Sequence, residues 1–448
     1  MKENAWSKLD KDEVFRFSDE YRIFLNKCKT EREVVDYIVS EAEKHGFSPV
    51  EKGGRKIYEV NRGKSVILAV KGRKDIREGL RIIASHADSP RLDLKPNPLY
   101  EDEELALLKT HYYGGIKKYH WVSIPLAIHG VVVKENGEKL NLVIGEDPED
   151  PVFTVCDLLP HLAKKIQGDK KLFDGIAGEE LNILFGSMKE KKKESKKGEQ
   201  EIKNFILKFL EENYGIKEED LVSAEIEIVP SFKARDVGID KSFVGAYGQD
   251  DRVCVFTSLK AILEVEDPEY TCVFIATDRE EIGSEGPTGM KSRAFENFVI
   301  KMMESPDIKD LVSVFENTKV ISADVSAGIN PTFKDAQEKH NAAKLGYGVV
   351  IERYTGAGGK YSTNETTAEF TSEIRRILNK NNISWQAAEL GKVDEGGGGT
   401  IAKFLANYNM DVIDCGTPLL GMHSPFEIAS KADIYETYRA YKAFYEGE

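Results

Sequence analysis

Leu80-Arg81-Ile82-Ile83-Ala84-Ser85-His86-Ala87-Asp88-Ser89-Pro90 sets an apolar run directly against a polar cluster that contains a histidine and an aspartate. The run over 80–84 reads as a buried strand. A polar cluster at its end is a candidate site, because ligands of open α/β sheets bind at the carboxyl ends of strands. Working outward, the pattern recurs: strand-like runs lie at 65–70, 271–276, 320–323 and around Val412 and Ile413, with helical patterns between them. Acids follow two of these runs, in Asp278-Arg279-Glu280-Glu281 and at Asp324. This alternation predicts an α/β fold with a mixed, largely parallel sheet flanked by helices. Thr30-Glu31-Arg32-Glu33 reads as a capping box that opens a helix over 30–45, with Val34, Val35, Ile38, Val39 and Ala42 on one face and Gly46 as its stop.

The middle of the chain has a different texture. Residues 126–134 and 139–145 flank Asn136-Gly137, a hairpin signal, and the β-rich character continues through Pro160-His161-Leu162-Ala163. The lysine- and glutamate-crowded run over 189–197 reads as a solvated loop. Ile202, Phe205, Ile206, Phe209 and Leu210 keep helical spacing, and 224–229 alternates as a strand does. In the simplest layout the strand before His86 and those after Asp250 share one sheet. The chain then divides into a catalytic domain over 1–95, a β-rich inserted domain over 96–239, and the rest of the catalytic domain over 240–448.

Composition narrows the function. A chain of 448 residues allows about three units of roughly 150, or two if one is a large α/β domain. Hydrophobic residues at 41% and charged residues at 31% describe a folded chain rather than a disordered or membrane-embedded one. Lysine and arginine number 63 against 77 acids, a net charge of -14, which argues against nucleic acid or anionic lipid as partner and favours a cation or a metal. Cys28, Cys156, Cys254, Cys272 and Cys415 form no C-x-x-C pair, so a disulfide framework and a zinc ribbon are both unsupported and a reducing cytoplasm is expected. Residues 1–12 lack an apolar signal core, and no run approaches the ~18 apolar residues of a membrane span.

Five segments bring groups that ligate metals or move protons: His86 with Asp88, Asp250 with Asp251, Glu280 with Glu281, Asp324, and His423. Imidazole and carboxylate suit zinc, cobalt or manganese, and the absence of cysteine among them excludes a closed thiolate site. About five ligands exceed the need of one tetrahedral ion and match two ions that share a bridging carboxylate. Asp250, just ahead of a helix, is the reasonable bridge. Neighbours on an extended chain point opposite ways, so one of Glu280 and Glu281 can bind metal while the other faces substrate as general base. Asp88 is placed to receive the second ring N–H of His86. Singly these are weak signals: a Glu-Glu pair is ordinarily solvated, and His45, His111, His120, His129, His161 and His340 show that histidine alone marks nothing. The five segments in order carry the reading.

These motifs, with Tyr113-Gly114-Gly115, Trp121, Pro160-His161-Leu162, Tyr361-Ser362-Thr363-Asn364 and Gly399-Thr400-Ile401, resemble in the same order those of the aspartyl aminopeptidase family of metallopeptidases, over nearly the whole chain. The resemblance implies a zinc exopeptidase-like fold, two zinc ions per subunit and release of N-terminal residues from peptides. It also implies an insert that dimerises and a homo-oligomer that closes as a dodecamer. One ion would be held by His86, Asp250 and Asp324, and the other by Asp250, Glu281 and His423. Glu280 would be the general base, and His161 would reach a neighbouring subunit's active site. There are two departures. Val122-Ser123-Ile124-Pro125-Leu126 follows Trp121 where many relatives carry an Asp-Arg pair, and Asp251-Arg252 stands where others have Asn-Leu. Both bear on the preferred N-terminal residue. Two other readings use the same groups. A carboxypeptidase or amide deacylase would still cleave N-terminally blocked peptides, and a catalytically silent assembly protein would use metals only to stabilise its shell. The intact Glu280 argues against the second.

Overall fold

The computed structural model describes residues 3–190, 200–303 and 307–447. Most of the run over 189–197 therefore lies outside the described residues. The chain forms two compact units, one from residues 1–89, 234–422 and 426–448, the other from 90–233 and 423–425.

The first unit is built on a nine-stranded mixed sheet. At its centre Thr271–Thr277, Leu80–His86, Lys319–Ser322 and Asp411–Gly416 lie side by side and parallel. Ser65–Val70 and Val349–Glu352 flank this block antiparallel. Side chains alternate between two apolar cores, as period-two pleating requires. Val66, Leu68, Phe274, Ile83, Ile321 and Ile413 enter one core, and Ile67, Ala69, Val273, Ile82, Val320 and Val412 enter the other. Helices cover both faces, which is why these strands read as unbroken apolar runs. Glu31–Lys44, Gln249–Leu263 and Lys431–Glu446 supply Ile38, Phe256 and Phe444 to the first core, while Ala294–Met302 and Ile308–Glu316 supply Phe298 and Val314 to the second. The capping box forms as expected, with the Thr30 side chain accepting from Glu33 N–H and the Glu33 side chain closing back on the N-cap.

The second unit is a seven-stranded sheet whose ladder pairs are antiparallel. The hairpin at Asn136-Gly137 joins Leu126–Val133 to Lys139–Ile144, with Gly137 at φ 83° in the left-handed position that lets the turn close. Two expectations shift here. The unit's main stretch runs from Pro90 to Lys233, joined by 423–425, rather than over 96–239. Its first strand, Arg91–Asp102, runs through Pro96 and Pro98, which sit where the register slips between Leu94 and Leu99 and no ladder N–H is required. Residues 160–166 are not strand but a short helix, Pro160–Ile166, with the proline at its first position.

Candidate metal centre

The registers Thr277↔His86 and Ser322↔Ala84 bring the carboxyl ends of three parallel strands level, and the predicted site residues of the first unit emerge there. His86 is the last residue of its strand and is 1% exposed. Its Nδ1 donates to the main-chain carbonyl of Asp88 at 3.0 Å, which leaves Nε2 as the nitrogen turned to the rest of the site. That nitrogen faces Asp250 Oδ1 at 3.3 Å and Asp324 Oδ1 at 3.9 Å. A ring N–H tied to a carbonyl, with the other nitrogen turned to carboxylates, is the usual arrangement of a metal-ligating histidine.

Each carboxylate is held by its own chain. Asp250 and Asp251 are non-helical at the head of Gln249–Leu263 and are joined by a cis peptide bond. Asp250 N–H donates to buried Glu427 at 3.0 Å, and its carbonyl accepts Ser89 Oγ at 2.6 Å. Asp251 Oδ2 accepts the His86 main-chain N–H at 3.2 Å. Asp324 follows Lys319–Ser322, whose pairing continues one residue further as Ala323 N–H donates to Ala84 O at 2.7 Å. Ligand atoms of His86, Asp250 and Glu281 lie within 4.8 Å of one another, as do those of His86, Asp251 and Asp324.

One sequence expectation needs correction, and another gains a second set of contacts. Glu280 and Glu281 are not neighbours on an extended strand. Arg279 turns left-handed at φ 68° and 280–282 forms a single tight turn, so their side chains are set by that turn. Asp88 stands beside His86 as expected, its carboxylate 3.4 Å from Nδ1, although its own main-chain carbonyl is nearer. Its two oxygens also accept the main-chain N–H groups of Glu280 at 3.1 Å and Glu281 at 3.2 Å.

The electrostatics favour a cation. Burial opposes the charged form of His86, but hydrogen bonding to Asp250 and Asp88 and the charge of Asp251 outweigh it and hold the ring well above its ordinary value. Burial pushes Asp324 up to about 8, reinforced by Asp250 and Asp414, and raises Asp251 and Glu280 well above the usual carboxylate range. Crowded, buried carboxyls that resist ionising together are what a multivalent cation neutralises. The donor set of imidazole nitrogen and carboxylate oxygen fits zinc, whose ligand atoms at ~2.0–2.1 Å stand about 3.3 Å apart in a tetrahedral site. The His86 to Asp250 separation of 3.3 Å meets that requirement.

Sequence reasoning missed Asp414 and Glu352. Register places Asp414 opposite both Ser322 and Glu352, so the two acids lie on adjacent strands. Asp414 Oδ1 accepts Thr400 Oγ1 at 2.6 Å, and Glu352 accepts the Ser326 hydroxyl. Burial raises them to about 6 and about 8. The available signal was an acid inside an apolar run, Val412-Ile413-Asp414-Cys415 and Val349-Val350-Ile351-Glu352. His423 and His161 belong to the second unit. There His423, at φ 64°, donates Nδ1–H to Gly115 O at 2.8 Å, and His161 is exposed on Pro160–Ile166.

Comparison with known proteins agrees with this chemistry. The family model described as aminopeptidase I zinc metalloprotease (M18) matches residues 24–445. A protein of Clostridium acetobutylicum described as "Probable M18 family aminopeptidase 1" is 51% identical, covering 98% of this chain and 97% of that one. One of the same description from Thermotoga maritima is 51% identical over 99% of both chains. The crystal structure of an M18 aminopeptidase from T. maritima superposes with a TM-score of 0.95 at 50% identity over 100% of both chains. That of aminopeptidase I from C. acetobutylicum does so with a TM-score of 0.93 at 48% identity, over 99% of this chain and 98% of that one. With a mixed sheet that gathers imidazole and carboxylates at its strand ends, the chain belongs to the M18 family of zinc metalloproteases and is a metalloaminopeptidase.

Proposed function

We propose that the chain removes N-terminal residues from peptides by attack of water at a centre of two divalent ions, zinc in the first instance, with Glu280 as general base. His86, Asp250 and Asp324 would hold one ion, and Asp250, Glu281 and His423 the other, the last by family resemblance. The observation that carries the reading is the meeting of His86, Asp250, Glu281 and Asp324 beside a glutamate whose backbone is pinned by Asp88. Bound ions supply Lewis acidity, which polarises the scissile carbonyl and lowers the pKa of water towards ~7. Glu280 takes the proton from the attacking water and returns it to the leaving amine. Burial, with the charges of Asp324, Glu281 and Asp88, raises the proton affinity that this exchange requires. Asp88 holds the Glu280 and Glu281 amides together, so base and ligand are presented from one rigid turn.

Peptides are the proposed substrates, and a homo-oligomer the proposed assembly, with the second unit as its dimerisation element. mApe1 of S. cerevisiae, 22% identical with a TM-score of 0.76, is described as a dodecamer, and the same closed assembly is proposed here. Among the described residues no helix is long and apolar enough to cross a membrane. Glu280→Gln tests the chemistry: metal content should equal that of the parent, while turnover of unblocked aminoacyl substrates falls by at least ~10²-fold. Turnover near the parent rate would remove Glu280 from its role.

A further inference from the structure

A buried charge cluster lies behind the turn that carries Glu280 and Glu281. The antiparallel ladder between Ser65–Val70 and Thr271–Thr277 pairs Val66 with Ala276, and two residues further along the same register Lys64 comes opposite Asp278. Lys64 Nζ stands 3.7 Å from Asp278 Oδ2 and 2.8 Å from Glu31 Oε1. The two acid side chains are 1% and 0% exposed, and that of Lys64 is 16% exposed. Glu31 opens the helix Glu31–Lys44, where the helix dipole also favours its charge. Asp278 Oδ2 accepts the Thr288 hydroxyl at 2.6 Å, and Asp278 N–H donates to Thr288 O at 3.3 Å, so the loop over 279–287 is closed at its base.

We propose that Lys64 is a positioning residue for the peptidase reaction: by bridging Glu31 and Asp278 it fixes the base of the loop whose turn presents Glu280 and Glu281. The proposal rests on the roles assigned to those two glutamates above. Besides the Thr288 bonds at its base, the loop is gripped from two sides. Asp88 grips the Glu280 and Glu281 amides from one side, and Lys64 holds Asp278 where the strand Thr271–Thr277 ends. Without the lysine, Asp278 loses the cation that ties it to Glu31, and the residue that starts the loop is less firmly held on that side. A shift of about 1 Å at a reacting group is enough to cost ~10²-fold in rate.

The test uses Lys64→Met and Lys64→Arg in the full-length protein. In chelator-treated protein, hydrogen exchange over 278–288 should quicken about 10-fold or more in Lys64→Met. With saturating metal, its kcat should fall about 10- to 100-fold while KM and metal content stay within about twofold of the parent, and Lys64→Arg should recover most of the loss. A Lys64→Met protein that melts at lower temperature yet keeps parent exchange and parent kcat would overturn the proposal, because Lys64 would then serve stability alone. Should Lys64→Met fail to fold, Asp278→Asn, which preserves the Lys64 to Glu31 pair, replaces it in both measurements: faster exchange with a lower kcat supports the proposal, and parent values of both overturn it. Exchange in chelated protein reports on the loop whatever Glu280 does, so failure of the Glu280→Gln test and failure of this one are separable.

Discussion

Asp88→Asn separates two ways in which the acid could act. In the structure its carboxylate accepts the amides of Glu280 and Glu281 at 3.1 and 3.2 Å, whereas His86 Nδ1 is held by the main-chain carbonyl of the same residue at 3.0 Å. Asparagine keeps that main-chain carbonyl and one side-chain acceptor, but it turns an NH₂ group towards the other amide. One charge-assisted hydrogen bond is lost and two donors face each other, worth about 1.5–3 kcal/mol. Expressed in the transition state, that is roughly a 10- to 150-fold fall in kcat. His86 keeps its orientation, so metal content should match the parent. The assay is metal content by mass spectrometry beside kcat and KM on unblocked aminoacyl substrates. A variant that sheds metal yet retains the parent turnover per bound metal would refute the reasoning, since Asp88 would then be acting through His86.

Gly416→Ala would place a Cβ 1.9 Å from the carbonyl oxygen of Asp324, so that residue must move, and metal affinity in chelator competition should fall about 10- to 100-fold; unchanged affinity would contradict the close packing. Asp433, which is not among the proposed metal ligands, offers a pH prediction. Its oxygens accept Gly346 N–H at 2.6 Å and Gly348 N–H at 2.7 Å, yet burial pushes its carboxyl up to about 8. A folded-state value above the unfolded ~3.9 means the stabilisation is complete below pH ~4 and is lost as pH rises through about 8. Asp433→Asn, which does not titrate, should cost about 1–3 kcal/mol in urea unfolding at pH 5, with the gap to the parent narrowing towards pH 9; a gap that widens with pH would reject the sign.

What could be read in the chain follows from where the physics is local. The capping box at Thr30, the apolar run at Ser65–Val70 and the hairpin at Asn136-Gly137 are written in neighbouring residues, and each forms. His86 and Asp324 were legible as polar residues at the ends of buried strands. Other features depend on distant partners. The strand Arg91–Asp102 tolerates two prolines only because the register slips beside them, which the pairing strand decides. Whether Glu280 and Glu281 oppose each other depends on a left-handed Arg279 and on an Asp88 carboxylate far back in the chain. Asp414 and Glu352 are acids that open no motif and gain their place only when strand order sets them side by side. Lys64 stands in a hairpin that reads as surface until Glu31 and Asp278 fold over it.

Anomalous diffraction at the zinc edge from zinc-loaded crystals tests the central claim most directly. The expected result is two peaks per chain, both within bonding distance, ~2.0–2.2 Å, of Asp250 carboxylate oxygens. One peak should also lie against His86 Nε2 and Asp324, and the other against Glu281, with Glu280 bonded to neither. Zinc bound elsewhere, with His86 and Asp324 still paired to each other as protein groups alone, would contradict it.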